Sequence, residues 1–170
     1  EPANLGKTPE ALIRQIHEIT PLYPREEPLG TVQISKVNYG KKHEGFDTFF
    51  FRIADEIEVA GKINGKSREM ESLHITWATR LKGLSATEAM TFRRCFLLAL
   101  YGSQKMLIGE WNQDELIAVM MKTLSFLHTM ENAESGTFTN FVDLSHVTVS
   151  FYGEWGNEEI FWSVGMWPRR

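Results

Sequence analysis

Apolar residues recur along this chain with two different periods, and each period predicts a different kind of element. Near the start, Leu12, Ile16 and Ile19 recur at the spacing of one helix face. A Thr-Pro pair at residues 8–9 precedes them, which places a capping residue before a proline at the first helical position. The pattern therefore predicts a helix that ends before Pro21.

Further along the chain, alternation of apolar and polar side chains predicts strands. Residues 31–37 alternate in this way and follow a proline-rich loop over residues 21–28. A polar stretch bounded by glycines follows at residues 38–45, and we expect it to be an exposed loop. Residues 73–77 alternate apolar with polar side chains and are rich in strand-forming types, so they predict a second strand.

Residues 46–63 fit two interpretations. Their apolar side chains recur at helical spacing, and they also alternate as in two strands. Gly61 weakens the helical interpretation and the Ala-Asp-Glu run at 54–56 weakens the other; we favour a helix over residues 47–60. In the strand alternative, Asn64-Gly65 suits a hairpin turn, but the apolar side of the next strand then requires a β-bulge.

Two helices are expected in the middle of the chain. Ser85 and Glu88 form a capping box before a helix over residues 86–102, and Asn112 caps a second over 113–131. The apolar stripe of the first comprises Ala89, Phe92, Cys95, Phe96, Ala99 and Leu100. The inward residues of the second are Leu116, Met120, Leu124, Leu127 and Met130.

The last third of the chain predicts an antiparallel hairpin. Counting outward from a turn at residues 156–157 places Phe151 opposite Trp162, and one register then gathers the apolar side chains on one face. The same register places Val149 opposite Val164 and Val147 opposite Met166. The sequence thus predicts a single α+β domain over residues 1–170, with an antiparallel sheet and its C-terminal β-hairpin packed against two central helices and an N-terminal helix.

The tip of this hairpin carries the candidate functional residues. The predicted register places Glu154 opposite Glu159, a like-charge pair that destabilises a sheet, and leaves Trp155 beside the turn. Tryptophan among acids is typical of a contact for a basic protein surface, whereas in the alternative Trp155 folds back onto the sheet and the acids only solubilise the tip. The predicted partner-binding residues are Glu154, Trp155, Glu158 and Glu159.

Composition narrows the function classes. The 170 residues carry a net charge of −4 with 42% hydrophobic residues, so we expect a globular protein that does not bind nucleic acid. No apolar run reaches the ~18 residues of a membrane span. Cys95 is the single cysteine of the sequence, which rules out an internal disulfide and leaves oxidising and reducing compartments open. The oligomeric state does not follow from the sequence.

The sequence contains little evidence for a metal or cofactor site. The five histidines lack the spacings of known metal motifs, and no phosphate-binding or dinucleotide-binding glycine motif is present. Met70 and His74 would share a face of a regular strand and so form a candidate pair for a soft metal. Packing in the hydrophobic core explains the methionines as well as metal binding does, and we interpret Cys95 as a core residue. We assign no metal site and no cofactor.

The residues of a possible Ser-His-Asp hydrolase site occur near the start of the hairpin. Asp143 and His146 lie close to Ser145 and Ser150 in the sequence. However, the chain has no G-x-S-x-G motif, and strand alternation places Ser145 and His146 on opposite faces. We assign no catalytic residue.

One segment resembles a known family. Ile53, Asp55, Ile57 and Met70, followed by the unbroken run at residues 72–77, resemble a family of small exported bacterial proteins of unknown function found in enteric bacteria. The order of parts is also similar: a helix, a proline-bearing loop, this segment, two helices and a terminal hairpin. The resemblance implies a signal peptide removed before the first residue and a periplasmic location, and it supplies no catalytic residues.

The expected function is therefore that of an exported, non-catalytic binding protein, periplasmic or secreted, whose partner is a protein with a basic surface. A cytoplasmic immunity or inhibitor protein that neutralises a basic partner is the second hypothesis, because small acidic domains suit this role by charge complementarity. A small hydrolase or metal-binding protein is the third.

Overall fold

The computed structural model describes residues 4–19, 33–41, 47–80, 82–132, 136–156 and 158–169. Within these ranges the chain forms the predicted α+β fold, and its antiparallel sheet has seven strands. The helices are α1 (Pro9–Ile19), α2 (Ala86–Gln104) and α3 (Gln113–Asn132), with a short π-helix at Lys105–Gly109 between the last two. The strands are β1 (Asn38–Lys41), β2 (Asp47–Ile53), β3 (Ile57–Ile63), β4 (Leu73–Arg80), β5 (Gly136–Asp143), β6 (Val147–Trp155) and β7 (Glu159–Pro168).

The sheet and the helices form two layers. The strand order is β1-β2-β3-β4-β7-β6-β5, and α2 and α3 pack on one face of the sheet, where Phe96 and Phe126 contact Trp162. Alternate strand residues such as Phe51 and Val164 are buried on this face. The side chains between them lie on the opposite face, which none of the described helices covers and which we call the open face. Among the described helices, none combines the length and apolar character needed to cross a membrane.

The predicted first helix is confirmed. Thr8 Oγ1 accepts a hydrogen bond from the backbone N–H of Ala11 at 3.2 Å, so it caps α1 as expected. Leu12, Ile16 and Ile19 are all buried, which shows that the helical spacing read from the sequence marks the core face.

The helix predicted over residues 47–60 is wrong, because this segment forms the hairpin of β2 and β3. Ile53 and Ile57 face each other across a turn at residues 54–56. Ala54 and Asp55 both adopt positive φ, of 53° and 58°, which is the geometry of a tight hairpin turn. The alternation of apolar side chains therefore indicated the structure of this segment correctly, and the helical spacing did not.

A β-bulge joins β3 to β4, as the strand alternative requires. The carbonyl of Lys62 accepts the backbone N–H groups of both Glu71, at 2.7 Å, and Ser72, at 3.3 Å. Two residues thus oppose one, and the alternation of faces shifts by one position. Asn64 starts the connection and orders it, because its side-chain oxygen accepts two backbone N–H groups, those of Lys66 and Ser67.

Both central helices are confirmed. Ser85 and Glu88 form the predicted capping box, and the side chain of Asn112 caps α3 by accepting from two backbone N–H groups of its first turn. Cys95 is buried, and burial raises the pKa of its thiol to about 11. One inward prediction is wrong: Leu124 is 53% exposed, because it lies on the outer side of α3, away from the sheet.

The predicted C-terminal hairpin forms between β6 and β7, but its register differs by two residues. Phe151 pairs with Val164, and Trp162 pairs with Gly153. The predicted pairs of Phe151 with Trp162, Val149 with Val164 and Val147 with Met166 are therefore wrong as direct pairs. A shift of two preserves the face of each side chain, so Phe151 and Trp162 are both buried on the helix side.

The remaining differences between prediction and structure concern the two edges of the sheet. Within the predicted strand at residues 31–37, the described part makes a single bridge, Ile34 with Ile53, whereas β1 forms where an exposed loop was expected. The edge strand β5 was not predicted. The proline-rich loop at residues 21–28 and Asn157 of the predicted turn lie outside the described residues.

Candidate functional site

A cleft of about 770 Å³ opens where the β6–β7 connection meets the end of β4. The connection is closed by the N–H of Gly156, which donates to the carbonyl of Glu159 at 3.0 Å. Because β4 pairs with both β3 and β7, the β2–β3 turn also reaches this end of the sheet. The charged and aromatic residues that line the cleft are Glu56, Arg80, Glu154, Trp155, Glu159 and Phe161.

Three of the four predicted contact residues line this one cleft, namely Glu154, Trp155 and Glu159. Glu158 is exposed in the same connection but is not among the described residues that line the cleft. Glu56, from the distant β2–β3 turn, adds a third carboxylate that sequence reasoning did not place here.

Glu154 and Glu159 do not form the predicted like-charge pair. In the observed register Glu154 lies opposite Phe161, and Glu159 lies opposite Arg80 of β4. Glu159 Oε1 and Arg80 Nε are 3.3 Å apart, and both side chains are largely exposed, so this ion pair adds little to stability. The two acids therefore escape direct repulsion because the observed pairing, which places Trp155 opposite Ile160, is displaced by two residues from the predicted one.

Glu154 is held on the open face by aromatic neighbours. Tyr152 Oη donates a hydrogen bond to Glu154 Oε1, and this bond raises the pKa of Tyr152. The ring of Tyr152 meets Phe161 edge-on at 5.9 Å. The Glu154 carboxylate thus stands beside an apolar wall that is partly open to solvent.

Trp155 is half-buried and does not project freely. Its ring stacks on Trp162 at 6.1 Å with an interplanar angle of 27°, which attaches it to the core. The expectation that Trp155 folds back onto the sheet accordingly describes its geometry, and Trp155 is also among the residues that line the cleft. The far more exposed tryptophan is Trp111, at 65%, which lies against His146 at 4.5 Å and which sequence reasoning missed. Its position in a polar connection, directly before the Asn112 cap, was the available signal.

The cleft supplies charge and apolar surface, and its described lining contains no His, Cys or Ser. Three carboxylates face one guanidinium, so the lining carries a formal charge of −2. A concave surface with a net negative charge attracts cations, even though Arg80 is paired with Glu159. Together these features suit binding of a cationic side chain next to an aromatic ring.

The residues considered for a hydrolase are held apart by other partners. Asp143 accepts from the hydroxyl of Thr148 at 2.7 Å, and Ser145 donates to Glu115 at 2.5 Å. The His146 ring packs against Trp111. These contacts do not assemble a nucleophile, a base and an orienting acid.

Met70 and His74 do not converge, because the bulge shifts the face of the chain between them. Met70 is fully buried in the core, whereas His74 lies on the open face against Trp167 at 5.0 Å. Burial lowers the pKa of His74. In the ranges that the structure describes, no three His, Cys, Asp or Glu side chains are grouped to hold a metal ion.

No protein-family model, no curated protein and no solved structure matches this chain.

Proposed function

We propose that this protein is a non-catalytic binding protein that takes a basic segment of a protein partner in the cleft at the β6–β7 connection. The observation that carries the proposal is the convergence of Glu56, Glu154 and Glu159 on one cleft beside Trp155 and Phe161. A Lys or Arg side chain would place its charge among the carboxylates and its aliphatic part against the rings. The described lining offers charged and aromatic binding groups and contains no Cys, Ser or His, and we take this composition to favour recognition over catalysis.

Removing cleft carboxylates should weaken binding of basic peptides. We expect the double variant Glu56→Gln, Glu154→Gln to bind a lysine-rich peptide about tenfold more weakly than the wild type, since each exposed charge contact contributes up to ~1 kcal/mol. Fluorescence anisotropy with a labelled peptide at low salt measures the change, and a glutamate-rich peptide of equal length should not bind.

The matched control for each single cleft change is Glu18→Gln, which removes one negative charge from an exposed position on α1 and should leave the affinity unchanged. Equal affinity of the wild type and the double variant for the lysine peptide, or equal weakening by Glu18→Gln, would refute the cleft as the binding site.

We also propose that the protein acts outside the cytoplasm, in the periplasm or as a secreted protein. The support is the resemblance of residues 53–77 to a family of exported bacterial proteins. Expression of the complete natural gene followed by cell fractionation tests this, and we expect the protein in the periplasmic or secreted fraction. Retention in the cytoplasm would instead favour the immunity or inhibitor hypothesis, which uses the same acidic cleft.

A further inference from the structure

The outer edge of β5 offers an unpaired strand next to the cleft. β5 is the last strand in the sheet order, and it pairs with β6 along its whole length, from Gly136 opposite Trp155 to Asp143 opposite Thr148. Among the described residues, no strand pairs with its other edge.

The backbone groups on this edge can be identified from one hydrogen bond. The N–H of Phe141 donates to the side-chain oxygen of Asn140 at 2.9 Å, so it does not point toward β6. Because successive residues of a strand alternate in direction, Thr137, Thr139 and Asp143 also present their N–H and C=O groups outward. All four side chains are exposed.

β5 lacks the features that usually prevent an edge strand from pairing with another chain. Such edges are commonly short, bulged, or interrupted by lysine or proline. β5 has eight residues, continuous pairing with β6, and no Lys, Arg or Pro, and Phe141 is 66% exposed. The opposite edge strand, β1, has only four residues.

This edge leads directly into the cleft. Thr137, in the second pair of β5, lies opposite Glu154, and both residues line the cleft. A long side chain on a strand added along β5 would therefore reach the Glu154 carboxylate, which lies on β6 directly beyond β5.

We propose that the partner binds as an extended segment that pairs with the outer edge of β5 and directs a Lys or Arg side chain into the cleft. This inference rests on the proposed function and specifies the form of its ligand. Strand addition supplies backbone hydrogen bonds that are independent of sequence, and the cleft supplies the choice of charge. Charge favours a basic partner over a second copy of this chain, which carries a net charge of −4 and has no basic residue in β5.

The test uses a change that removes an outward N–H without disturbing the pairing with β6. Thr139→Pro meets this requirement, because proline is tolerated at edge positions whose N–H faces solvent. The probes are a peptide of alternating lysine and threonine, and the same peptide with alternate backbone nitrogens methylated. We expect Thr139→Pro to weaken binding of the first peptide at least tenfold, and the methylated peptide to bind the wild type at least tenfold more weakly.

Thr139→Val is the matched control, since it changes the side chain and keeps the N–H, and it should bind as the wild type does. Circular dichroism and thermal unfolding verify that the proline variant is folded; amide hydrogen exchange at residues 137, 139 and 143 gives a second readout, with protection expected when the lysine peptide is added to the wild type. The outcomes separate this inference from the proposed function. If the cleft carboxylates affect binding but Thr139→Pro and peptide methylation leave the affinity unchanged and amide exchange shows no protection, strand addition is wrong and the proposed function stands. If the lysine peptide does not bind the wild type, the proposed function itself fails. A wild-type dimer in solution that Thr139→Pro dissociates would assign the edge to a second copy and overturn the proposal.

Discussion

The variant Gly61→Ala should lose about 3 kcal/mol or more of unfolding free energy, a large part of the stability of an ordinary domain. A Cβ atom at residue 61 would lie 2.0 Å from the carbonyl oxygen of Ser72 and 3.1 Å from the ring of Phe49. The Ser72 carbonyl is backbone, and it is fixed by the β-bulge in which Lys62 accepts two N–H groups. Relief of the clash therefore requires moving the bulge or separating β3 from β4.

Urea unfolding followed by circular dichroism measures this loss, and Gly156→Ala is the control. A Cβ at residue 156 would have its nearest neighbour at 4.0 Å, so alanine there should change stability by less than about 1 kcal/mol. Similar unfolding free energies for Gly61→Ala and the wild type would show that the bulge is not rigid.

The same bulge shows where sequence reasoning succeeded and where it failed. The mismatch of faces between residues 59 and 73–77 predicted a bulge for the strand alternative, and the structure has it. The helix was nevertheless favoured for residues 47–60, because Ala54 and Asp55 are poor strand residues. They form the turn instead, with positive φ. Asp adopts positive φ more often than most residues but Ala does not, so the pair gave only a weak turn signal.

The C-terminal hairpin shows a second limit. Alternation of apolar side chains determines which face each residue takes, and this prediction was correct for Phe151 and Trp162. It cannot separate two registers that differ by two residues, since both place the same side chains inward. The position of the turn decides between them, and the observed pairing of Trp155 with Ile160 is not centred on the Gly156-Asn157 pair.

The candidate cleft was predictable only in part. Glu154, Trp155 and Glu159 are near one another in sequence and were identified together, although for a like-charge pair that does not exist. Glu56 and Arg80 reach the cleft through the β2–β3 turn and the pairing of β4 with β7. If residues 47–60 are interpreted as a helix, no sequence pattern brings Glu56 to this end of the sheet.

The variant Trp162→Ala should lose about 3 to 5 kcal/mol of unfolding free energy, the range for removing a buried large aromatic side chain. Trp162 is 2% exposed and is central to the aromatic cluster between the sheet and the helices. Its ring lies 5.0 Å from Trp77, 5.8 Å from Phe96 and 6.3 Å from Phe126. The large side chains around it belong to different elements, so they cannot all close on the cavity, which increases the cost.

Two further variants make this prediction specific. Trp162→Phe keeps a ring in the cluster and removes an indole N–H that has no hydrogen-bond partner among the described residues, so we expect a loss well below that of alanine. Trp111→Ala removes a tryptophan that is 65% exposed and should cost less than about 1 kcal/mol. Urea unfolding gives all three values, and equal losses for Trp162→Ala and Trp111→Ala would contradict the central position of Trp162. Because Trp155 stacks on Trp162, the alanine variant should also bind the lysine peptide more weakly wherever it remains folded, which connects the stability of the core to the shape of the cleft.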